Sequence, residues 1–210
     1  MRLSPITELD DDAAALRDRI LGPQADPPPP FLMWAHNLGI GQLIEDLGAY
    51  CRDRARFPRK LRILSMMVAA RYHDSASCWN AHIEEAIELG LPRECMDRLA
   101  RRQEPGFIAE DERVFFAFAR ELVEEHFVSE RTYAEALALF GEPALLDIVG
   151  CVGSFTISSW ALNAFQVPIR DDLGEPFPDV AGFAPARPER LDPAQAGSEP
   201  GSEPAGSEPA

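Results

Sequence analysis

The sequence predicts an all-α fold, and three observations carry that prediction. Apolar residues recur at three- and four-residue intervals through most of residues 31–167. Proline, glycine and short polar residues fall where helices would start and stop. No segment shows the period-two alternation of a half-buried strand. The chain has 210 residues, enough for one domain with a sizeable core. About seven or eight helices with short connections are expected.

Residues 1–22 are acidic and read as one short helix, with no apolar stretch of the kind a signal peptide needs. Residues 23–30, PQADPPPP, read as an extended connector, because proline fixes φ and lacks the N–H a helix interior uses. From Phe31 a helical pattern runs through Leu32, Ala35, Leu38, Leu43, Leu47 and Tyr50, weakened by Gly39, Gly41 and Gly48. Pro58 opens PRKLRILSMMVAARYH at a favoured first position. Asp74 reads as the N-cap of SASCWNAHIEEAIELG, and Gly90 as its stop. Pro92 starts a short helix. AEDERVFFAFARELVEEHF is acidic in its first turn and amphipathic after it. Ser129 caps SERTYAEALALFG, and Pro143 begins a long final helix that ends before Pro168. Residues 171–210 are rich in Pro, Gly and Glu, and end in AGSEPGSEPAGSEPA. That stretch holds no apolar side chain larger than alanine, so a disordered tail is expected. The expected organisation is therefore an extension over 1–30, a helical domain over 31–170 and the tail.

The formal net charge is −15, and without Glu199, Glu203 and Glu208 of the tail it is still −12. That sign argues against a nucleic-acid partner. The apolar run over 144–165 has the length of a bilayer span. It carries Asp147, Asn163 and four Ser or Thr, so it reads as a core helix, and no membrane partner is expected. Cys51, Cys78, Cys95 and Cys151 lie in apolar helical segments with no Cys-x-x-Cys pair, which fits reduced thiols in a cytoplasm.

SASCWNAH, residues 75–82, carries the chemistry. Cys78 and His82 stand four apart, on one helix face. Near the start of a helix and beside an imidazole, a thiol can become a thiolate nucleophile, and Glu85 is placed to orient the His82 ring. The alternative is a small buried thiol and a histidine bonded to backbone. His73, Asp74, Cys78 and His82 lack a second close ligand pair, so no metal is expected.

LRILSMMVAARYHDSASCWNAHIEEAIELGLPRE resembles the carboxymuconolactone decarboxylase and alkylhydroperoxidase D-like superfamily, as does ALLDIVGCVGSFTISSWALNAFQVPI. The resemblance covers about residues 31–170. It implies an all-helical alkylhydroperoxidase D-like domain that assembles as a homo-oligomer, a trimer or hexamer, and acts on a small-molecule substrate without a cofactor. Set against the family's Cys-x-x-Cys-x-x-x-His branch, Ser75 stands in place of the first cysteine, Cys78 matches the second and His82 the histidine. Against the Glu-Trp-x-x-His branch, Cys78 replaces the glutamate while Trp79 and His82 are kept. Arg62 stands near the glutamate both branches carry in the preceding helix. Three functions follow in order. The first is a peroxidase-type thiol oxidoreductase using Cys78 and His82. The second is a cofactor-free decarboxylase or lactone-processing enzyme with His82 as acid/base, Arg62 or Arg71 holding a carboxylate and Trp79 in the pocket. The third is a non-catalytic oligomeric scaffold.

Overall fold

The structure is a computed structural model that describes residues 1–168, 174–178 and 180. Among these residues it is all helical, with nine helices and no strand: α1 Asp11–Leu21, α2 Pro29–Ala35, α3 Leu38–Asp53, α4 Arg59–Tyr72, α5 Ala76–Glu88, α6 Arg93–Ala100, α7 Glu110–Glu124, α8 Glu130–Phe140 and α9 Glu142–Ala164.

The central element is α4. Every residue from Leu61 to Arg71 is buried, the polar Arg62, Ser65 and Arg71 included. It packs against α5, α7 and α9. Around it the Phe57, Phe115 and Phe140 rings meet edge to face, 5.2 and 6.2 Å between centroids. This geometry suits the aromatic quadrupole. Helix α9 is long and apolar enough to cross a bilayer by length and composition alone. It also buries Asp147, Cys151, Ser154 and Ser159 against its neighbours.

Most boundaries follow their capping chemistry. Ser129 Oγ accepts from the Thr132 N–H, and Asp10 Oδ1 from the Ala13 N–H at 2.8 Å. Helix α5 ends in a Schellman motif: Gly90 at φ +93°, with Leu91 N–H bonded back to Ala86 O at 3.0 Å and Gly90 N–H to Ile87 O.

Three boundaries depart from the sequence reading. The proline run is not wholly extended, because Pro29 and Pro30 begin α2, where a missing N–H costs no helical bond. The helix expected from Phe31 breaks at Asn37, whose side chain caps α3. The break lets α2 double back, so that a Cβ on Gly41 would stand 3.1 Å from Trp34 O. Asp74 is not the N-cap of α5. It sits in the left-handed region at φ +51° and pairs with Arg71 and Arg102, which leaves Ser75 as the cap.

The N-terminal segment is docked: Arg2 N–H donates to Phe165 O at 2.7 Å, and α1 packs on α3. The expected tail lies largely outside the described residues. Residues 174–178 belong to the packed body, since Phe177 is 2 % exposed.

Candidate functional site

Apart from Cys78, the predicted site residues fall into two groups at opposite ends of α4. Nine residues separate Arg62 from Arg71, about 13 Å along a helix axis, so the two arginines cannot hold one small carboxylate.

The first group is Arg59, Arg62, His82 and Glu85. Arg59 Nη2 donates to Glu85 Oε1 at 2.5 Å, and Arg62 Nη2 reaches the same oxygen at 3.4 Å. His82 Nδ1 stands 3.7 Å from Glu85 Oε2, an electrostatic contact too long for a hydrogen bond. Burial pushes Glu85 up, but the Arg59 bond and the charges of Arg62 and Arg59 outweigh it and keep the carboxyl ionised below its ordinary value. Burial lowers His82, and the Arg62 charge adds to that against the opposing pull of Glu85. The imidazole is thus neutral near pH 7, and its side chain is one-third exposed. Arg62 is itself buried, and its Nε has no hydrogen-bond partner among the described residues.

The second group is Arg71, Asp74 and Trp79, gathered around Phe177. The Arg71 guanidinium lies 4.6 Å from the Phe177 centroid and is paired to Asp74. Trp79 meets the same ring edge to face at 5.3 Å. Asn80 Nδ2 donates to Gly174 O at 2.9 Å, which holds the strap of residues 174–178 across the start of α5. Arg71 is wholly buried in this packing.

Cys78 lies between α5 and α9, 5 % exposed. Burial pushes its thiol up to about 12. The Ser159 hydroxyl faces it and opposes that shift, without reaching a well-formed hydrogen bond of its own. The effect of burial exceeds whatever the start of a helix contributes within its first turn. The charged neighbours of His82 are Glu85 and Arg62.

Three participants were not singled out from sequence. Arg59 is a first-turn arginine whose reach to Glu85 depends on how α4 crosses α5. Ser159 is one of several small polar residues in an apolar helix. Phe177 did leave a signal, as a large aromatic in a Pro- and Asp-rich stretch. Among the described residues no three His, Cys, Asp or Glu side chains converge as metal ligands.

No protein-family model and no curated protein matches the chain. Solved structures do. One is a protein of unknown function from Agrobacterium tumefaciens, a candidate antioxidant defence protein AhpD. It is 14% identical over 65% of this chain and 94% of that one, with a TM-score of 0.57. Another is a cysteine-to-alanine variant of the debrominase Bmp8 in complex with 2,3,4-tribromopyrrole. It is 15% identical over 77% of this chain and 85% of that one, with a TM-score of 0.60. At these identities the likeness is one of fold.

Proposed function

We propose that this chain, which has the alkylhydroperoxidase D-like fold, is a cofactor-free acid/base enzyme acting on a small carboxylated substrate such as a carboxylated lactone. One observation carries the reading: a neutral, partly exposed His82 beside a carboxylate that two arginines hold ionised. Neutral imidazole removes a proton from a carbon next to the substrate's carbonyl. The imidazolium so formed is balanced by Glu85. The negative charge that develops on the substrate falls next to Arg59 and Arg62, whose guanidinium groups suit a carboxylate or an enolate. His82 then returns the proton to the substrate, so the enzyme ends as it began.

A second reading rests on the fold neighbours, one a candidate antioxidant defence protein and the other a debrominase represented by a cysteine variant. In it Cys78 is a peroxidase-type thiol. That chemistry requires the buried thiol to become accessible and to ionise from about 12.

The test is hydrogen–deuterium exchange. Carboxylated lactones are incubated with the protein in D2O, and deuterium at carbon is read by NMR. Under the acid/base reading His82→Ala abolishes exchange and Cys78→Ser retains it. Exchange lost in Cys78→Ser but kept in His82→Ala would overturn that reading. Dimedone capture at Cys78 after brief peroxide treatment would establish the second.

A further inference from the structure

We propose that Arg59 is a substrate-sensing arm: it holds Glu85 back from His82 and gives it up for the carboxylate of an arriving substrate, which lets Glu85 close on the imidazole. The inference deepens the acid/base reading of His82 and rests on that reading for the identity of the substrate.

The two oxygens of Glu85 have different company. Oε1 is shared by two guanidinium groups, Arg59 Nη2 at 2.5 Å and Arg62 Nη2 at 3.4 Å. Oε2 faces His82 Nδ1 across 3.7 Å, beyond the range of a hydrogen bond. Both cations stand on α4, so together they hold the carboxylate toward that helix. The short contact belongs to Arg59. Its loss leaves Glu85 with Arg62 alone, at the outer limit of hydrogen-bonding range. The gap to Nδ1 then has to close only from 3.7 Å to about 2.9 Å.

The two arginines differ in freedom. The Arg59 side chain is 62 % exposed and the Arg62 side chain 8 %. Arg59 is the first residue of α4. An exposed ion pair contributes little net stability, because its partners are well solvated apart and regain side-chain freedom. A buried pair is costly to break. Arg59 meets Glu85 through one nitrogen and one oxygen, whereas a substrate carboxylate can accept two parallel N–H bonds from the same guanidinium. The exchange therefore favours the substrate. Arg62, buried and paired with Glu85, stays in place and keeps the carboxylate ionised.

The exchange sets the base. With Nδ1 too far from Glu85 to bond, nothing there fixes which ring nitrogen carries the proton. Once Nδ1–H donates to Glu85, the lone pair is on Nε2 and the ring is held in one orientation, as when a carboxylate orients a histidine base. The charged groups acting on His82 are Glu85 on its own helix and Arg62 on α4, and Arg59 acts on it through Glu85. With one cation fewer on the carboxylate, His82 is the stronger base. An uncharged analogue of the substrate does not displace Arg59 and meets a base that is not set. Arg59 is thus a positioning residue that selects for a carboxylate at the proton-transfer step as well as in binding.

The experiment follows the His82 imidazole by NMR in the full chain, assigned against His82→Ala, for wild type, Arg59→Gln and Glu85→Gln. The probes are γ-butyrolactone carboxylate and its methyl ester. The carboxylate should shift wild-type His82 to the Nδ1–H tautomer and move its titration to higher pH, and the ester should do neither. Arg59→Gln should show both changes with no probe added, because Glu85 is already released. Glu85→Gln should show neither change with either probe. In deuterium exchange the preference for carboxylate over ester should fall about tenfold or more in Arg59→Gln. A wild-type His82 that the carboxylate does not move, an Arg59→Gln protein whose His82 matches wild type, or an equal response in Glu85→Gln would each overturn the proposal. The last would mean that the anion acts on His82 directly. The imidazole readout needs no turnover. A His82 that responds as stated in a chain that exchanges no deuterium refutes the acid/base reading and upholds the arm, and exchange with an unresponsive His82 does the reverse.

Discussion

The indole Nε1–H of Trp160 donates to Nδ1 of His73 at 3.1 Å. The accepting nitrogen carries no proton, so the imidazole proton sits on Nε2 and points at Thr156 Oγ1, 3.2 Å away. Protonating the ring would break the indole bond. Burial, with the nearby His126 charge, lowers His73 against the pull of Asp74. A histidine lowered in the fold binds its proton more readily in the unfolded chain. Its contribution is therefore complete above about pH 6.5, the unfolded value, and is lost as pH falls from there toward the folded value. His82 acts in the same direction. The melting temperature should be flat from pH 8 to 7 and decline between about 6.5 and 5, before the carboxylates titrate. Trp160→Phe should raise His73 and flatten part of that decline. A melting temperature that rises on acidification through this window would contradict the tautomer assigned here.

Cys78 should be slow to alkylate in the native protein. With its thiol up at about 12, the thiolate fraction at pH 8 is on the order of a thousandfold below that of a free thiol near 8.5. Iodoacetamide labelling followed by mass spectrometry measures it. Rapid native labelling at Cys78 would move the functional reading to thiol chemistry.

Much of the fold is legible in the sequence, because α4 to α9 are written in local terms: apolar period, N-terminal prolines, Ser129, Gly90 and Gly141. The break between α2 and α3 is not, since it depends on Gly41 meeting Trp34 across space. The site divides in the same way. His82 and Glu85 are three apart on one helix, and that pairing needs only helix geometry. The state of Cys78 depends on its burial and on Ser159 of α9, eighty-one positions later. No local rule reports which thiol a distant helix covers. Arg62, where the family that the sequence resembles carries a glutamate, reads from sequence as a lost acid. In the structure its partner is Glu85, so the carboxylate comes from the histidine's own helix.

The strap should matter more than its composition suggests. Phe177 is 2 % exposed and contacts Trp79 and Arg71. Phe177→Ala should cost at least about 2 kcal/mol, with a drop of several degrees in melting temperature. Truncation after Ala184 removes no described contact and should shift it by about a degree or two at most. Equal effects from the two changes would show that Phe177 does not anchor the strap.

The final helix should bring copies of the chain together. Leu146, Val149, Ile157 and Trp160 are 75, 46, 38 and 59 % exposed. With Gly150 and Gly153 they follow the three- and four-residue spacing of one helix face. Nothing lies within 4 Å of where a Cβ on either glycine would stand, so a second helix can come close there. An apolar stripe of this kind marks an association surface, and a face that pairs with its own copy closes a symmetric assembly. Sedimentation at micromolar concentration should give a species larger than the 23.2 kDa chain. Leu146→Glu puts a charge into the middle of the contact, where desolvating it is unfavourable, and should return the monomer with an unchanged circular dichroism spectrum. A wild-type monomer, or a Leu146→Glu protein of unaltered size, would show that this face is not the one that associates.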